Sequence, residues 1–120
     1  TPCQSSAASD VYKRQAAAYM SHSLPIPLAK PELAVATALA GEMLGLRCLY
    51  LDAGSGADTP LPTETIGAIR DAVKLPLIVG GGLMCQKDLD RAWGAGATCV
   101  VVGSAVEREP AVLNEMRLTR

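Results

Sequence analysis

The stretch RCLYLDAGSG, Arg47 to Gly56, decides the fold. Arg47 to Ala53 is a short apolar run with a carboxylate near its end, and Gly54-Ser55-Gly56 follows as a turn. That is the form of a strand buried on both faces that delivers the chain to a loop. The same form returns twice downstream: Leu75 to Val79 (LPLIV) leads into Gly80-Gly81-Gly82, and Thr98 to Val102 (TCVVV) leads into Gly103-Ser104. The three turns begin 26 and 23 residues apart, the length of one strand, turn and helix. Successive units of that kind, joined by right-handed crossovers, build a parallel sheet. A doubly wound sheet and a (β/α)8 barrel both satisfy the pattern. The barrel is favoured because every strand ends in a small-residue turn able to hold a ligand, whereas a doubly wound sheet concentrates its glycines at the first turn.

Helical patterns fill the intervals. Pro31 to Leu44 opens with Pro at a first-turn position and stops at Gly45. Pro62 to Lys74 places Ile66, Ile69 and Val73 on one face and stops before Pro76. Gln86 to Gly94 gathers Leu89, Ala92 and Trp93, which makes Trp93 a core or interface residue, and Pro110 to Met116 offers a last helix with Val112, Leu113 and Met116 together. Tyr19-Met20 reads as the end of an earlier strand, and Pro25-Ile26-Pro27 as an extended loop.

Outside this core the chain changes character. Residues 1–15 are small and polar with no apolar period to bury. The run SSAASDVYKRQ resembles translated sequencing-adapter read-through, so residues 1–15 are expected to be a non-native or disordered leader and residues 16–120 the folded part. The 120 residues amount to about half of what a closed eight-stranded barrel needs, roughly 250. A half-barrel is therefore expected.

Composition narrows the function. Eleven Lys plus Arg against twelve Asp plus Glu give a net charge of −1, which removes the electrostatic case for nucleic acid or an anionic membrane as principal partner and leaves small anionic ligands. The chain is 49% hydrophobic with no Phe, so its core is expected to be Ala, Val, Leu and Ile. Four cysteines show no CxxC pair, and the one histidine is at no ligand spacing, so a zinc site is not expected. Cys48 and Cys99 lie in apolar runs and read as small buried hydrophobes in a reducing, cytoplasmic setting. No run of about 18 apolar residues suggests a membrane span.

Chemistry concentrates at the turns. Gly80-Gly81-Gly82 ahead of a helix starting near Gln86 offers backbone N–H groups beside a helix N-terminus, a place for an anion, and Gly103-Ser104 adds amides and a hydroxyl after the next strand. Tight turns with positive φ and nothing bound satisfy the same letters. Asp52 is the only acid inside an apolar strand run and lies at the carboxyl end, where barrel active sites are found. It has two readings: a group that holds or takes a proton from a substrate hydroxyl, or a carboxylate accepting amides of the Gly54 to Gly56 turn. Tyr50 shares its strand face and would share its ligand. His22 and Lys30 read as solvated loop residues.

Four strings in order carry a resemblance. YLDAGSGA (Tyr50 to Ala57), the preceding KPELAVATALAGEMLGLR (Lys30 to Arg47), LPLIVGGGL (Leu75 to Leu83) and VVVGSAVE (Val100 to Glu107) resemble the geranylgeranylglyceryl phosphate synthase family, over about Tyr19 to Met116. The resemblance implies the C-terminal half of a modified TIM barrel. It implies a prenyltransferase of ether lipid biosynthesis that moves a polyprenyl group from its diphosphate to the 3-hydroxyl of sn-glycerol 1-phosphate, with Mg2+ as cofactor. The positions matching its glycerol phosphate elements are Tyr50, Leu51, Asp52, Ala53, Gly54, Ser55 and Gly56, then Gly80, Gly81 and Gly82, then Gly103 and Ser104. Asp52 matches an acidic position that orients or deprotonates the attacking hydroxyl. Ser104 stands where Thr or Asn is frequent, and Met84-Cys85 replaces a more polar pair. The Mg2+ ligands are expected on early strands in the missing N-terminal half, so the fragment alone is expected to be inactive. A homo-oligomer of the full-length parent is compatible with the resemblance. Two rivals stay open: another phosphate-binding barrel enzyme such as an isomerase or aldolase, and an inert half-barrel.

Overall fold

The computed structural model describes residues 8–10, 25–27, 29–54 and 57–117. Its order is β1 (Ala8–Asp10), α1 (Pro31–Met43), β2 (Leu49–Asp52), α2 (Thr63–Ala72), β3 (Leu77–Gly80), α3 (Gln86–Gly94), β4 (Cys99–Val101), α4 (Ser104–Arg108) and α5 (Val112–Glu115). The four strands lie in the order β1-β2-β3-β4, every pair parallel, so the βα repeat read from the glycine spacing is present.

Register sorts the side chains into two faces. Leu49 and Leu51 of β2 stand beside Leu77 and Val79 of β3, and all four are buried. They form the floor on which the helices rest. From α2 come Ile66 and Ile69, from α3 Leu89, Ala92 and Trp93, and from α1 the small residues Ala34, Ala38 and Gly41, which let that helix pack closely on α2. The other face carries Tyr50, Asp52 and Ile78, half-buried, then Cys99 and Val101, exposed.

This face corrects two expectations. The strands were read as buried on both sides, but among the described residues helices cover one side only, so the other is open. For the same reason Cys99 is exposed; Cys48, in the link before β2, is exposed too, and neither serves as the small core hydrophobe its apolar run suggested.

Helix ends also moved. The second helix is shorter than Pro62 to Lys74: Pro62 caps it from outside, and Val73 is already extended, with Leu75 held from helical geometry by Pro76. In place of one last helix from Pro110 to Met116 there are two short ones. Met116 is buried, Val112 half-buried and Leu113 exposed, so that trio does not share one buried face. A strand at Ala8–Asp10 stands where no element was expected; its pairing with β2 uses backbone groups, which need no apolar pattern. Tyr19, Met20 and His22 lie outside the described residues. Among the described residues no helix is long and apolar enough to cross a membrane.

Candidate functional site

The carboxyl ends of β2, β3 and β4 meet around one cavity of about 180 Å3, lined by Tyr50, Asp52, Gly81, Gly82, Leu83, Val101, Gly103 and Ser104. Parallel pairing brings them together: Asp52 is level with Gly80, and Gly80 with Val101. Pockets for drug-sized ligands occupy roughly 300–1,000 Å3. This one suits a small polar molecule and is too small for a long hydrocarbon.

The glycines each have a structural reason. Ala53 donates its N–H to the Gly80 carbonyl at 3.0 Å, which draws the turns after β2 and β3 together. A Cβ on Gly81, whose φ is +82°, would lie 2.7 Å from the Gly54 carbonyl oxygen and 2.8 Å from its nitrogen. A Cβ on Gly82, at φ +70°, would lie 2.8 Å from the Thr59 carbonyl oxygen. Gly80 leaves room for a side chain instead: its Cβ would collide with the Tyr50 hydroxyl and approach Val101 Cβ to 3.3 Å. The phenol thus lies over Gly80. Gly103 differs, since nothing lies within 4 Å of its Cβ position.

The turn-capping reading of Asp52 is the one the structure shows. Its Oδ1 accepts the Gly54 N–H at 2.8 Å, the turn-capping role, while the residue still lines the cavity. Burial raises the Tyr50 phenol above its ordinary range, and the neighbouring Asp52 charge pushes it the same way. At neutral pH Tyr50 is therefore a hydrogen-bond donor.

The Asp88 carboxylate accepts the N–H groups of Met84 at 3.0 Å and Cys85 at 3.3 Å, just ahead of α3. Neither Met84 nor Cys85 lines the cavity. Cys85-x-x-Asp88 is the capping-box spacing with Cys in the Ser position, a signal that was present in the sequence. Leu83 and Val101 are the lining residues that sequence reasoning missed; for Val101 the signal was its period-2 alternation with Cys99 along the strand. Of the residues read as site residues, Leu51 and Ala53 are buried beneath the cavity, Gly54 caps it through Asp52, and Ser55 and Gly56 lie outside the described residues.

A model of the PcrB family matches residues 11–119. The chain belongs to the PcrB family. Among its relatives, the geranylgeranylglyceryl phosphate synthase of Spirosoma linguale is 49% identical over 98 residues, which are 82% of this chain and 39% of the relative. That of Thermococcus gammatolerans is 48% identical over 90 residues, 75% of this chain and 36% of the relative. Among solved structures, (S)-3-O-geranylgeranylglyceryl phosphate synthase from Thermoplasma acidophilum, in complex with substrate sn-glycerol-1-phosphate, superposes with a TM-score of 0.77 at 27% identity, covering 84% of this chain and 41% of that one. Wild-type GGGPS from Thermoplasma volcanium gives 0.76 at 31% identity with the same coverage. This PcrB-family chain is thus α/β and corresponds to part of a TIM barrel, spanning about two fifths of the length of these relatives.

A magnesium ion finds no fitting donor set among the described residues. No three His, Cys, Asp or Glu converge there, and Asp52 is the one carboxylate lining the cavity.

Proposed function

We propose that the protein to which these residues belong transfers a polyprenyl group from its diphosphate to the 3-hydroxyl of sn-glycerol 1-phosphate in the cytoplasm, and that this segment holds the glycerol phosphate. The observation that carries the reading is the cavity at the ends of β2, β3 and β4, with amide-bearing glycine turns on one side and Tyr50 with Asp52 on the other. The phosphate rests against the turns of Gly81-Gly82 and Gly103-Ser104, where backbone N–H groups and the Ser104 hydroxyl suit an anion. Tyr50 donates to the ligand. Asp52 spends one oxygen on Gly54 and keeps the other for the glycerol hydroxyl.

The hydroxyl oxygen attacks the allylic carbon of the second substrate. A carbon–oxygen ether bond forms, the bond to diphosphate breaks, and the hydroxyl proton passes to Asp52. Fixing the hydroxyl beside its acceptor supplies the positional part of the acceleration. The 180 Å3 cavity does not hold a polyprenyl chain, so that substrate and the Mg2+ that assists its diphosphate belong to the part of the barrel that this segment does not span. Turnover by the segment alone is not expected.

The test uses the full-length barrel that contains this segment. With sn-glycerol 1-phosphate, C20 to C35 polyprenyl diphosphates and Mg2+, a prenyl ether product is expected, and its absence at every chain length contradicts the proposal. Asp52→Asn preserves the oxygen that caps Gly54 and removes the proton acceptor; it lowers kcat by roughly 10²–10⁴, the usual scale for losing a general base, with little change in affinity for glycerol phosphate. Equal losses in both would make Asp52 a binding group only. Preference for a sugar phosphate over glycerol 1-phosphate would instead favour an isomerase or aldolase.

A further inference from the structure

Leu83 is a partition between two open volumes. It is buried, follows the triple glycine directly, and lines both the cavity that holds Asp52 and a second one of about 460 Å3. The second lies on the helix side of the sheet, with Thr59 and Leu61, Ile66 of α2, Val79 of β3 and Ala92 of α3 among its walls. A side chain with space on two sides is fixed less by packing than one enclosed all round, so its position depends on how its backbone is held.

The front of the glycine turn is held by β2 and its loop: Gly80 accepts the Ala53 N–H, and Gly81 and Gly82 lie against Gly54 and Thr59. Its exit has a different anchor. Asp88 Oδ2 accepts the Met84 N–H at 3.0 Å and the Cys85 N–H at 3.3 Å, and the Cys85 thiol lies 3.4 Å from it. An acid at the third position of a helix ordinarily reaches back to the N–H of the capping residue, here Cys85. The bond to Met84 goes one residue beyond that cap and is the shorter of the two. The Met84 N–H belongs to the planar peptide that joins it to Leu83, so holding it also fixes the Leu83 carbonyl and the path by which the chain leaves the turn.

We infer that Asp88 is a positioning residue for the glycerol phosphate site: through Met84 and Cys85 it sets where Gly82 and Leu83 stand, and so how closely the turn fits the phosphate. It lines the second cavity and not the first, and therefore acts through the turn and not by touching the ligand. The inference rests on the reading that Gly81-Gly82 meets the phosphate, and it adds a residue outside that contact.

Calorimetric titration of the full-length barrel that contains this segment tests it, with sn-glycerol 1-phosphate and a polyprenyl diphosphate as separate ligands. Asp88 is half-buried beside a cavity, so water can reach the two amides when the carboxylate is removed and the fold survives. Asp88→Ala, or Asp88→Ser should the alanine variant not fold, raises the dissociation constant for glycerol phosphate roughly 10-fold, the scale of one or two lost hydrogen bonds, and leaves that for the polyprenyl diphosphate unchanged. Asp88→Asn, which keeps an oxygen for both amides, recovers most of the affinity. Unchanged glycerol phosphate binding, tighter binding from the freed Met84 and Cys85 amides, an equal loss for both ligands, or no recovery with Asn would each overturn the inference while leaving the reading of the turn in place. A parent barrel that binds no glycerol phosphate would overturn that reading and this inference with it.

Discussion

β3 and β4 are neighbouring strands with similar letters, LIVG and CVV, and each runs into a glycine turn, yet one is the centre of the molecule and the other its rim. Leu77 and Val79 are at most 1% exposed, whereas Val101 is 42% exposed. Their turns differ in the same way, since Gly81 and Gly82 are jammed against the β2 loop and Gly103 stands in open space. An apolar run thus announces a strand, while the elements laid over it determine whether that strand is core. The site draws on both kinds. A rigid wall comes from β2 and β3, and a looser one from β4.

The largest expected contrast is at the turns. Gly81→Ala puts a side chain at positive φ and into backbone atoms of Gly54, so it lowers unfolding free energy by about 2–6 kcal/mol, combining the usual ranges for such strain and for overpacking. Gly103→Ala, with negative φ and free space, stays within about 0.5 kcal/mol. Urea unfolding midpoints of the two variants check this, and similar losses would break the distinction between wall and rim.

Next come the strands themselves. Leu77→Ala removes a fully buried side chain and costs about 2–5 kcal/mol, whereas Val101→Ala costs under about 1 kcal/mol in the isolated monomer. A loss at Val101 as large as that at Leu77 would break the comparison.

The smallest effect is the tyrosine's. In the variant Tyr12→Phe/Tyr19→Phe, ultraviolet titration reports Tyr50 alone, and its midpoint lies above the ordinary phenol value of 10.0. The sign for stability follows. Tyr50 is protonated in both folded and unfolded chains at neutral pH; above about pH 10 the unfolded chain loses that proton first, so stability declines as pH rises toward the folded value. A midpoint at or below 10 would place the phenol in open solvent, away from Gly80 and Asp52.

Much of this was legible in the sequence. The spacing of Gly54, Gly80 and Gly103 gave parallel βα units, since covalent geometry fixes how many residues a strand, turn and helix consume. Asp52 stood out because a carboxylate inside an apolar strand is rare, and Tyr50 followed by period 2. What stayed hidden depends on which surfaces meet. The exposure of Cys99 and Val101 reflects a sheet covered on one side among the described residues, which no local pattern records. Gly81 and Gly82 look like ligand loops in the sequence, but their first duty is to pass Gly54 and Thr59. Asp88 was hidden differently: its spacing from Cys85 was visible, but only the folded turn shows that its carboxylate takes the amides of both Met84 and Cys85.

The account turns on where the glycerol phosphate sits. Amide chemical shifts of the 120-residue chain, titrated with sn-glycerol 1-phosphate, test it most directly. The account predicts saturable shifts at Gly81, Gly82, Gly103 and Ser104, reduced by Tyr50→Phe. Shifts centred on Met84 to Asp88 at the start of α3, or none at the three turns, would contradict it.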